Sequence, residues 1–439
     1  MTAEVAVMNR YAVALAADSA VTINGSQGNK IYNAANKLFA LSKREPVGIM
    51  VYGNAEFMGV PWETIIKVYR AELGSRSFLT LVEYYDDFME FLGSNDDMFG
   101  EEAQIRYVED MARGMFQRLR DQLRARVDAV TKASPVTGVS PEDVAKLQSA
   151  AINEAHQTFA KQKLAKGLDV AHEKAVSATY RQAINKIMAE VFERLPLTRS
   201  DRNRLRQYIV FALTRDVFPA GASGVVVAGF GRKEHFPKLH SSTVQARVAN
   251  RLKMRTYATA DVARDRTAVI PFAQTDAVQH FMEGIDPRHA LQATKLVKKA
   301  LDGLKDDALG SLDLSDEDRK AASLAWDKMV SERLREFSET AVASRNATYV
   351  RPLMEVISIL PKDELAAVAE ALVNITSLRR KMSMGEETVG GPIDVAVISK
   401  GDGLIWMKRK HYFKPELNPH FIENYFRAIP AEEQNGKDA

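Results

Sequence analysis

Residues 2–18 read TAEVAVMNRYAVALAAD, and this stretch decides the fold class. Two runs of small, β-branched and apolar residues, Ala3 to Met8 and Tyr11 to Ala17, lack the spacing of an amphipathic helix. Only Asn9 and Arg10 separate the runs, and a two-residue interruption predicts a tight turn between antiparallel strands. The stretch therefore predicts a β-hairpin.

The predicted turn fixes which residues face each other across this hairpin. A loop formed by the two separating residues pairs Met8 with Tyr11. The same register puts Thr2 opposite Ala17, and therefore directly beside Asp18. We expect the hairpin to bring the start of the chain to a carboxylate.

A lysine stands where a further buried strand is expected to begin. A polar, glycine-bearing link follows Asp18, an apolar run then starts at Lys37, and another run extends from Gly48 to Tyr52. An ammonium group at the start of a buried strand needs a compensating charge. We therefore expect Lys37 to pair with Asp18.

Thr2 gains a second reactive group when Met1 is removed. Initiator methionine is generally trimmed before a residue as small as threonine, which leaves Thr2 with a free α-amino group. An α-amino group has a pKa of about 8, and it can accept the proton of the hydroxyl on the same residue. The Lys37 ammonium, held charged by Asp18, would favour the alkoxide, and a backbone N–H near Gly53 would receive the oxyanion.

Thr2 and the segments 15–22, 36–39 and 50–55 together resemble the N-terminal part of a proteasome β-type subunit. This family of N-terminal-nucleophile (Ntn) hydrolases also includes the bacterial HslV peptidase. The spacing from Thr2 to Asp18 agrees with the family without any gap. The link before Lys37 is a few residues longer than the family's.

The resemblance implies a role for each matched residue. Thr2 would be both nucleophile and base, and the charge pair of Asp18 and Lys37 would orient and activate it. The oxyanion and substrate-binding contacts would come from Gly53, Thr22 and Ser19.

The resemblance also implies groups that hold the amine of Thr2. In the family a serine-glycine turn does so, and the closest equivalent by type is Thr275. A later family element places an aspartate and a serine before two glycines, which here are Gly390-Gly391. Glu386 stands where the aspartate would fall, and Glu386, Glu387 or Thr388 is expected to take over its role after a small register shift.

Composition narrows the classes of partner. The 439 residues include 60 basic and 57 acidic ones, a formal net charge of +3, so no strong field attracts nucleic acid or an anionic membrane. The absence of cysteine excludes disulfides and thiolate metal sites. No apolar run is long enough to cross a membrane, and no signal peptide is recognisable. We expect a cytoplasmic protein without a membrane or nucleic-acid partner.

The absence of several known sequence motifs excludes the reactions that depend on them. No phosphate-binding loop, dinucleotide-binding glycine motif or zinc-protease motif is present, so we expect no nucleotide hydrolysis, cofactor or metal. An energy-dependent ATPase that unfolds substrates would have to be another protein. Because members of the resembled family form rings, a homo-oligomer is a further partner that the resemblance implies.

The remaining pattern predicts an α+β protein: a four-layer αββα sandwich of the Ntn hydrolase type with two large helical insertions. Ser140 and Ser200 mark helix starts, residues 223–230 form a buried strand, and 266–286 form a turn-rich passage before a helix that ends near Gly284. The predicted division is core sheets at 1–56, 217–285 and 385–428, helical layers with insertions at 57–216 and 286–384, and a polar tail at 429–439.

These patterns indicate a threonine-type hydrolase that cleaves peptide or other amide bonds of a peptide or protein substrate. One alternative is an Ntn amidase or acyl-transfer enzyme for a small substrate, because fold and nucleophile are shared while substrates vary. A second is a catalytically silent assembly subunit. A third is that Thr2, Asp18 and Lys37 coincide by chance, as a common second residue, a strand-end cap and a solvated lysine.

Overall fold

The computed structural model of the chain describes residues 3–25, 28–32, 35–133, 140–193, 195, 197–219, 221–383, 390–411, 413–420 and 423. Its strands are β1 (Ala3–Met8), β2 (Ala12–Ala17), β3 (Val21–Gly25), β4 (Gly28–Tyr32), β5 (Leu38–Ala40), β6 (Val47–Tyr52), β7 (Glu56–Phe57), β8 (Val60–Pro61), β9 (Ser223–Gly229), β10 (Lys238–Val248), β11 (Arg251–Asp261), β12 (Ala268–Ala273), β13 (Asp394–Ser399) and β14 (Gly403–Lys408).

The helices of the described residues are α1 (Trp62–Leu73), α2 (Leu81–Ser94), α3 (Asp96–Phe99), α4 (Glu101–Ala133), α5 (Pro141–Ala160), α6 (Val170–Thr179), α7 (Arg181–Val191), α8 (Arg199–Thr214), α9 (Val262–Asp265), α10 (Asp276–Glu283), α11 (Pro287–Gly310), α12 (Asp316–Arg345), α13 (Arg351–Ile359) and α14 (Lys362–Lys381). A π-helical turn, Asn346–Val350, joins α12 to α13. None of these helices has both the length and the apolar character that a membrane crossing requires.

The chain divides into two compact units, and each combines segments that are distant in sequence. The first unit contains Met1–Leu38 and Asp261–Ile422, and the second contains Phe39–Ala260 and Glu423–Ala439. Each unit has a five-stranded sheet with its own helices and core. Helices and antiparallel sheets confirm the expected α+β class, while the predicted domain boundaries stay a prediction.

The sheet of the first unit has the order β12-β1-β2-β13-β14, and all four of its ladders are antiparallel. Alternate residues of a strand point to opposite faces, so one face of this sheet can be wholly apolar. That face packs against α14 through Ala3, Val5, Val7, Ala14, Ala16, Val395, Val397, Leu365, Ala369, Leu372 and Val373. The residues in between, beginning with Glu4, therefore lie on the other face.

The predicted hairpin is present as β1 and β2, but its predicted turn is wrong. The backbone N–H of Asn9 donates to the carbonyl of Ala12 at 3.0 Å, so Asn9 belongs to the pairing and not to the loop. The two loop residues are Arg10 and Tyr11. The whole register consequently differs by two residues from the predicted one.

The observed register changes the partners near the start of the chain. Glu4, and not Thr2, is paired with Ala17. Asp18 follows directly, and its backbone N–H donates to the carbonyl of Ala3 at 3.1 Å. Because the shift is an even number of residues, every side chain keeps the face that the prediction gave it.

Two segments expected to be irregular contain strands. The polar link after Asp18 forms a two-stranded ribbon of β3 and β4. The passage 266–286 contains β12, which pairs with β1 at the edge of the sheet. Pro271 has no N–H to donate, and an edge strand tolerates it because its outer side needs no donor. As predicted, the following helix, α10, ends at Gly284, where φ is +69°.

The second unit has a sheet of order β11-β10-β9-β6-β5, which packs against α1 and α2. A separate apolar cluster joins α4, α5, α7 and α8 to one end of β10. The predicted strand after Ser223 and the helix start at Ser140 are confirmed.

The start of α8 differs from the predicted cap at Ser200. Thr198 is the N-cap, because its hydroxyl accepts a hydrogen bond from the N–H of Asp201 at 3.1 Å. The Asp201 carboxylate in turn accepts from the N–H of Thr198 at 3.3 Å. This reciprocal pair is a capping box, which satisfies two backbone donors at the start of the helix.

Candidate active site

The centre of the site is the carboxylate of Asp18, just beyond the end of β2. It is 1% exposed and accepts three hydrogen bonds within the first unit. Oδ1 accepts from the backbone N–H of Ala3 at 3.1 Å and from Nζ of Lys37 at 2.5 Å. Oδ2 accepts from the N–H of Gly390 at 3.1 Å. Asp18 therefore joins the first strand, the segment before β5 and the segment before β13.

Lys37 lies immediately before β5, and its ammonium group is buried against Asp18 as predicted. Burial lowers the pKa of Lys37, because a dry surrounding disfavours the charged form, while the negative charge of Asp18 opposes that shift. An ammonium group held in this way lowers the pKa of any hydroxyl brought beside it.

Glu4 also belongs to the site, although the local sequence pattern does not predict it there. Its side chain is 1% exposed, and neither carboxyl oxygen has a hydrogen-bond partner among the described residues. Burial raises the pKa of Glu4 well above its usual value, and the charge of Asp18 adds to the rise while Lys37 opposes it. The signal in the sequence is that Glu4 is the one charged residue in the two hairpin strands.

A second buried ion pair lies on the same face of the sheet. Ala17 on β2 is paired with Asp394 on the neighbouring strand β13 and with Glu4 on the opposite neighbour, β1. The Asp394 carboxylate binds the ammonium group of Lys410 and accepts from its backbone N–H at 2.8 Å. The positive charge of Lys410 also contributes to the lowered pKa of Lys37.

Ser19, a predicted substrate-binding residue, uses its polar groups to hold the segment before β13. Its hydroxyl donates to the carbonyl of Pro392 at 2.5 Å, and its N–H donates to the carbonyl of Gly390 at 3.2 Å. Its own carbonyl accepts from the N–H of Ala35 at 3.1 Å. Together with the bond from Gly390 to Asp18, these contacts bring the predicted double-glycine element to the charge pair.

Gly53 ends β6 in the second unit, where φ is +88°. A Cβ at this position would lie 2.5 Å from the carbonyl oxygen of Ala222. This position therefore requires glycine, because any other residue would place a Cβ against the neighbouring backbone. Gly53 and the charge pair belong to different units.

Of the other predicted residues, the structure describes the positions of Thr22 and Thr275. Thr22 lies on β3 opposite Ile31. Thr275 precedes α10 and makes no side-chain capping bond to it. Thr2, Glu386 and Thr388, together with Glu387, lie outside the described residues. Within the described part of the chain, no cluster of three or more histidine or acidic side chains has the arrangement of a metal site.

No protein-family model matches the chain, and no curated protein matches it significantly.

Proposed function

We propose that this chain is a threonine-type Ntn hydrolase that cleaves peptide or other amide bonds through an acyl-enzyme on Thr2, after removal of Met1. The observation that carries the proposal is the buried pair of Asp18 and Lys37, 2.5 Å apart. The same carboxylate binds the N–H of Ala3, the amide nitrogen that is covalently attached to Thr2. A buried ion pair is costly and is not needed for stability, which favours a chemical role for it.

The proposed reaction uses groups that this pair would organise. The α-amino group of Thr2 takes the proton from Oγ, and Oγ forms a bond to the substrate carbonyl carbon. Lys37 lowers the pKa of the hydroxyl, and a backbone N–H receives the negative oxygen. The carbon–nitrogen bond of the substrate then breaks, and the departing amine takes the proton from the α-ammonium group.

Hydrolysis of the resulting ester returns the enzyme to its starting state. The α-amino group takes a proton from water as the water oxygen bonds to the ester carbon. The bond from that carbon to Oγ then breaks, Oγ recovers the proton, and the product leaves as a carboxylic acid. Neither stage requires a metal or a cofactor.

Within the same proposal, the fold is the four-layer αββα sandwich. Two observations support it: each unit contributes a five-stranded sheet, and each sheet has helices on one face. Strand β1, which follows Thr2, occupies an inner position next to β2.

Hydrolysis of fluorogenic peptide amides by the purified chain tests the activity. We expect Thr2→Ala to abolish turnover, and Thr131→Ala, which removes an exposed hydroxyl from α4, to leave it unchanged. Equal turnover by wild type and Thr2→Ala would contradict the proposal.

A further inference from the structure

A wide cleft lies in the helical part of the second unit. It has a volume of about 1210 Å³ and is lined by α7, by α8 and by the link between them. This volume exceeds the roughly 300 to 1,000 Å³ of most small-molecule pockets, so the cleft has room for a stretch of extended chain.

The charge of this cleft is predominantly positive. Its lining contains one glutamate, Glu193, and four arginines, Arg181, Arg199, Arg202 and Arg206. The excess of three positive charges equals the formal net charge of the whole chain, which is +3. The formal charges of the rest of the chain therefore sum to zero, and the net positive charge lies in this cleft.

Nearby acidic groups do not neutralise these arginines. Glu190 pairs with Arg113, Glu109 pairs with Lys186, and Asp201 pairs with Arg204. In the portion of the chain that the structure describes, no ion pair involves any of the four cleft arginines. Arg206 donates a hydrogen bond to the side-chain oxygen of Asn203. The guanidinium groups of the other three arginines are available to a ligand, and guanidinium binds carboxylate through two parallel hydrogen bonds.

The floor of the cleft is apolar and is flanked by side-chain amides. Met188, Phe192, Leu195 and Leu197 contribute apolar surface, and Asn185 and Asn203 stand beside the arginines. Because amides both donate and accept hydrogen bonds, they can pair with the backbone of an extended chain.

We propose that this cleft binds an acidic polypeptide segment that also carries apolar side chains. Carboxylates of the segment pair with the arginines, its apolar side chains cover the floor, and its backbone bonds to the asparagines. A nucleic acid is disfavoured because single strands bind through stacking on exposed aromatic rings, and Phe192 is only 4% exposed. The proposal does not depend on the hydrolase activity proposed above.

Binding of a short fluorescein-labelled peptide of alternating glutamate and leucine tests the inference. Anisotropy should show binding by the full wild-type chain that weakens with added salt. Arg199→Glu combined with Arg202→Glu should weaken it at least about tenfold. Arg124→Glu reverses an exposed charge on α4 outside the cleft and should leave binding unchanged.

Further measurements control the peptide-binding test. Arg199→Gln combined with Arg202→Gln should weaken binding in the same direction, which guards against misfolding of the reversed variant. A peptide of alternating lysine and leucine should not bind. Equal binding by wild type and the double variants, or tighter binding of single-stranded oligothymidylate than of the acidic peptide, would overturn the proposal.

Discussion

The carboxylate of Asp18 accepts three hydrogen bonds, whereas the equally buried carboxyl group of Glu4 takes part in none with any described residue. Both groups lie close enough to Lys37 to affect its pKa. Burial raises the pKa of Glu4, and the charge of Asp18 adds to this rise while Lys37 opposes it. Glu4 therefore carries its proton over a wider pH range than an exposed glutamate.

Replacement of Glu4 by glutamine should have an effect on stability that depends on pH. The raised pKa of Glu4 means that its contribution is fully present below the unfolded pKa of about 4.3 and is lost as pH rises through the folded value. Glutamine stays neutral and avoids that loss. We expect the melting temperature of Glu4→Gln, relative to wild type, to rise as pH increases above about 4.3.

The matched control for this experiment is Glu370→Gln. Glu370 pairs with Lys408 at the surface of the same unit, so the same chemical change there should give no comparable trend with pH. A difference between Glu4→Gln and wild type that is constant from acid to neutral pH would contradict the assignment of a raised pKa.

Replacing only one partner of the buried charge pair should lower the free energy of unfolding more than replacing both partners. Lys37→Met leaves the Asp18 charge buried without its ammonium partner, which costs about 3 to 5 kcal/mol of unfolding free energy. Adding Asp18→Asn to Lys37→Met should recover part of this loss. Denaturant unfolding of wild type, the two single variants and the double variant measures the interaction energy between Asp18 and Lys37. Losses of the two single variants that simply add in the double variant would contradict the prediction.

The sequence predicted the hairpin and the pairing of Asp18 with Lys37, but not the turn. Asn9 accepts a hydrogen bond from the N–H of Tyr11 at 2.9 Å and is buried. Its side-chain amide also donates to the carbonyls of Ile357 and Leu360, at 3.0 and 2.9 Å. These partners are about 350 residues away, so no local pattern reveals that Asn9 stays in the ladder and shifts the loop.

The same limit explains the residues that the sequence analysis did not identify. Glu4 stands out in its strand, yet its place beside Lys37 depends on a register that distant contacts fix. Asp394 and Lys410 join the site only because β13 pairs with β2. By contrast, the Gly390-Gly391 element was recognised from its pattern, and Gly390 contacts Asp18.

Ser19→Ala distinguishes a structural role of this residue from the predicted substrate-binding role. The change removes the hydrogen bond from this buried hydroxyl to the carbonyl of Pro392 and should cost about 0.5 to 1.5 kcal/mol of unfolding free energy. Ser399→Ala is the control for KM, because it removes another buried serine hydroxyl of the same unit, which donates to the carboxylate of Asp402 and accepts from its N–H. Unchanged stability of Ser19→Ala together with a raised KM would show that the hydroxyl serves the substrate instead.

Gly53→Ala should destabilise the second unit through a steric clash as well as through backbone strain. The added Cβ would meet the carbonyl oxygen of Ala222 at 2.5 Å. Gly59 has a similar φ of +83° and no atom within 4 Å of the corresponding Cβ, so Gly59→Ala measures the strain alone. We expect Gly53→Ala to lose at least about 1 kcal/mol more than Gly59→Ala, and equal losses would contradict the clash.

Lys37→Ala should also reduce hydrolysis by a factor of about 100 or more, because it removes the charge that activates the hydroxyl. Initial rates with a fluorogenic peptide amide measure this loss. Lys408→Ala removes a lysine from a surface pair in the same unit and should leave the rate unchanged. A Lys37→Ala variant that is folded and fully active would place the chemistry elsewhere.

Reaction with a β-lactone probe, followed by mass spectrometry of the N-terminal peptide, shows whether Thr2 is the nucleophile. We expect this peptide to begin at Thr2 and to carry one covalent adduct on Thr2, and we expect Lys37→Ala to slow adduct formation. A purified, hydrolytically active chain that retains Met1, or whose adduct lies on another residue, would contradict this expectation.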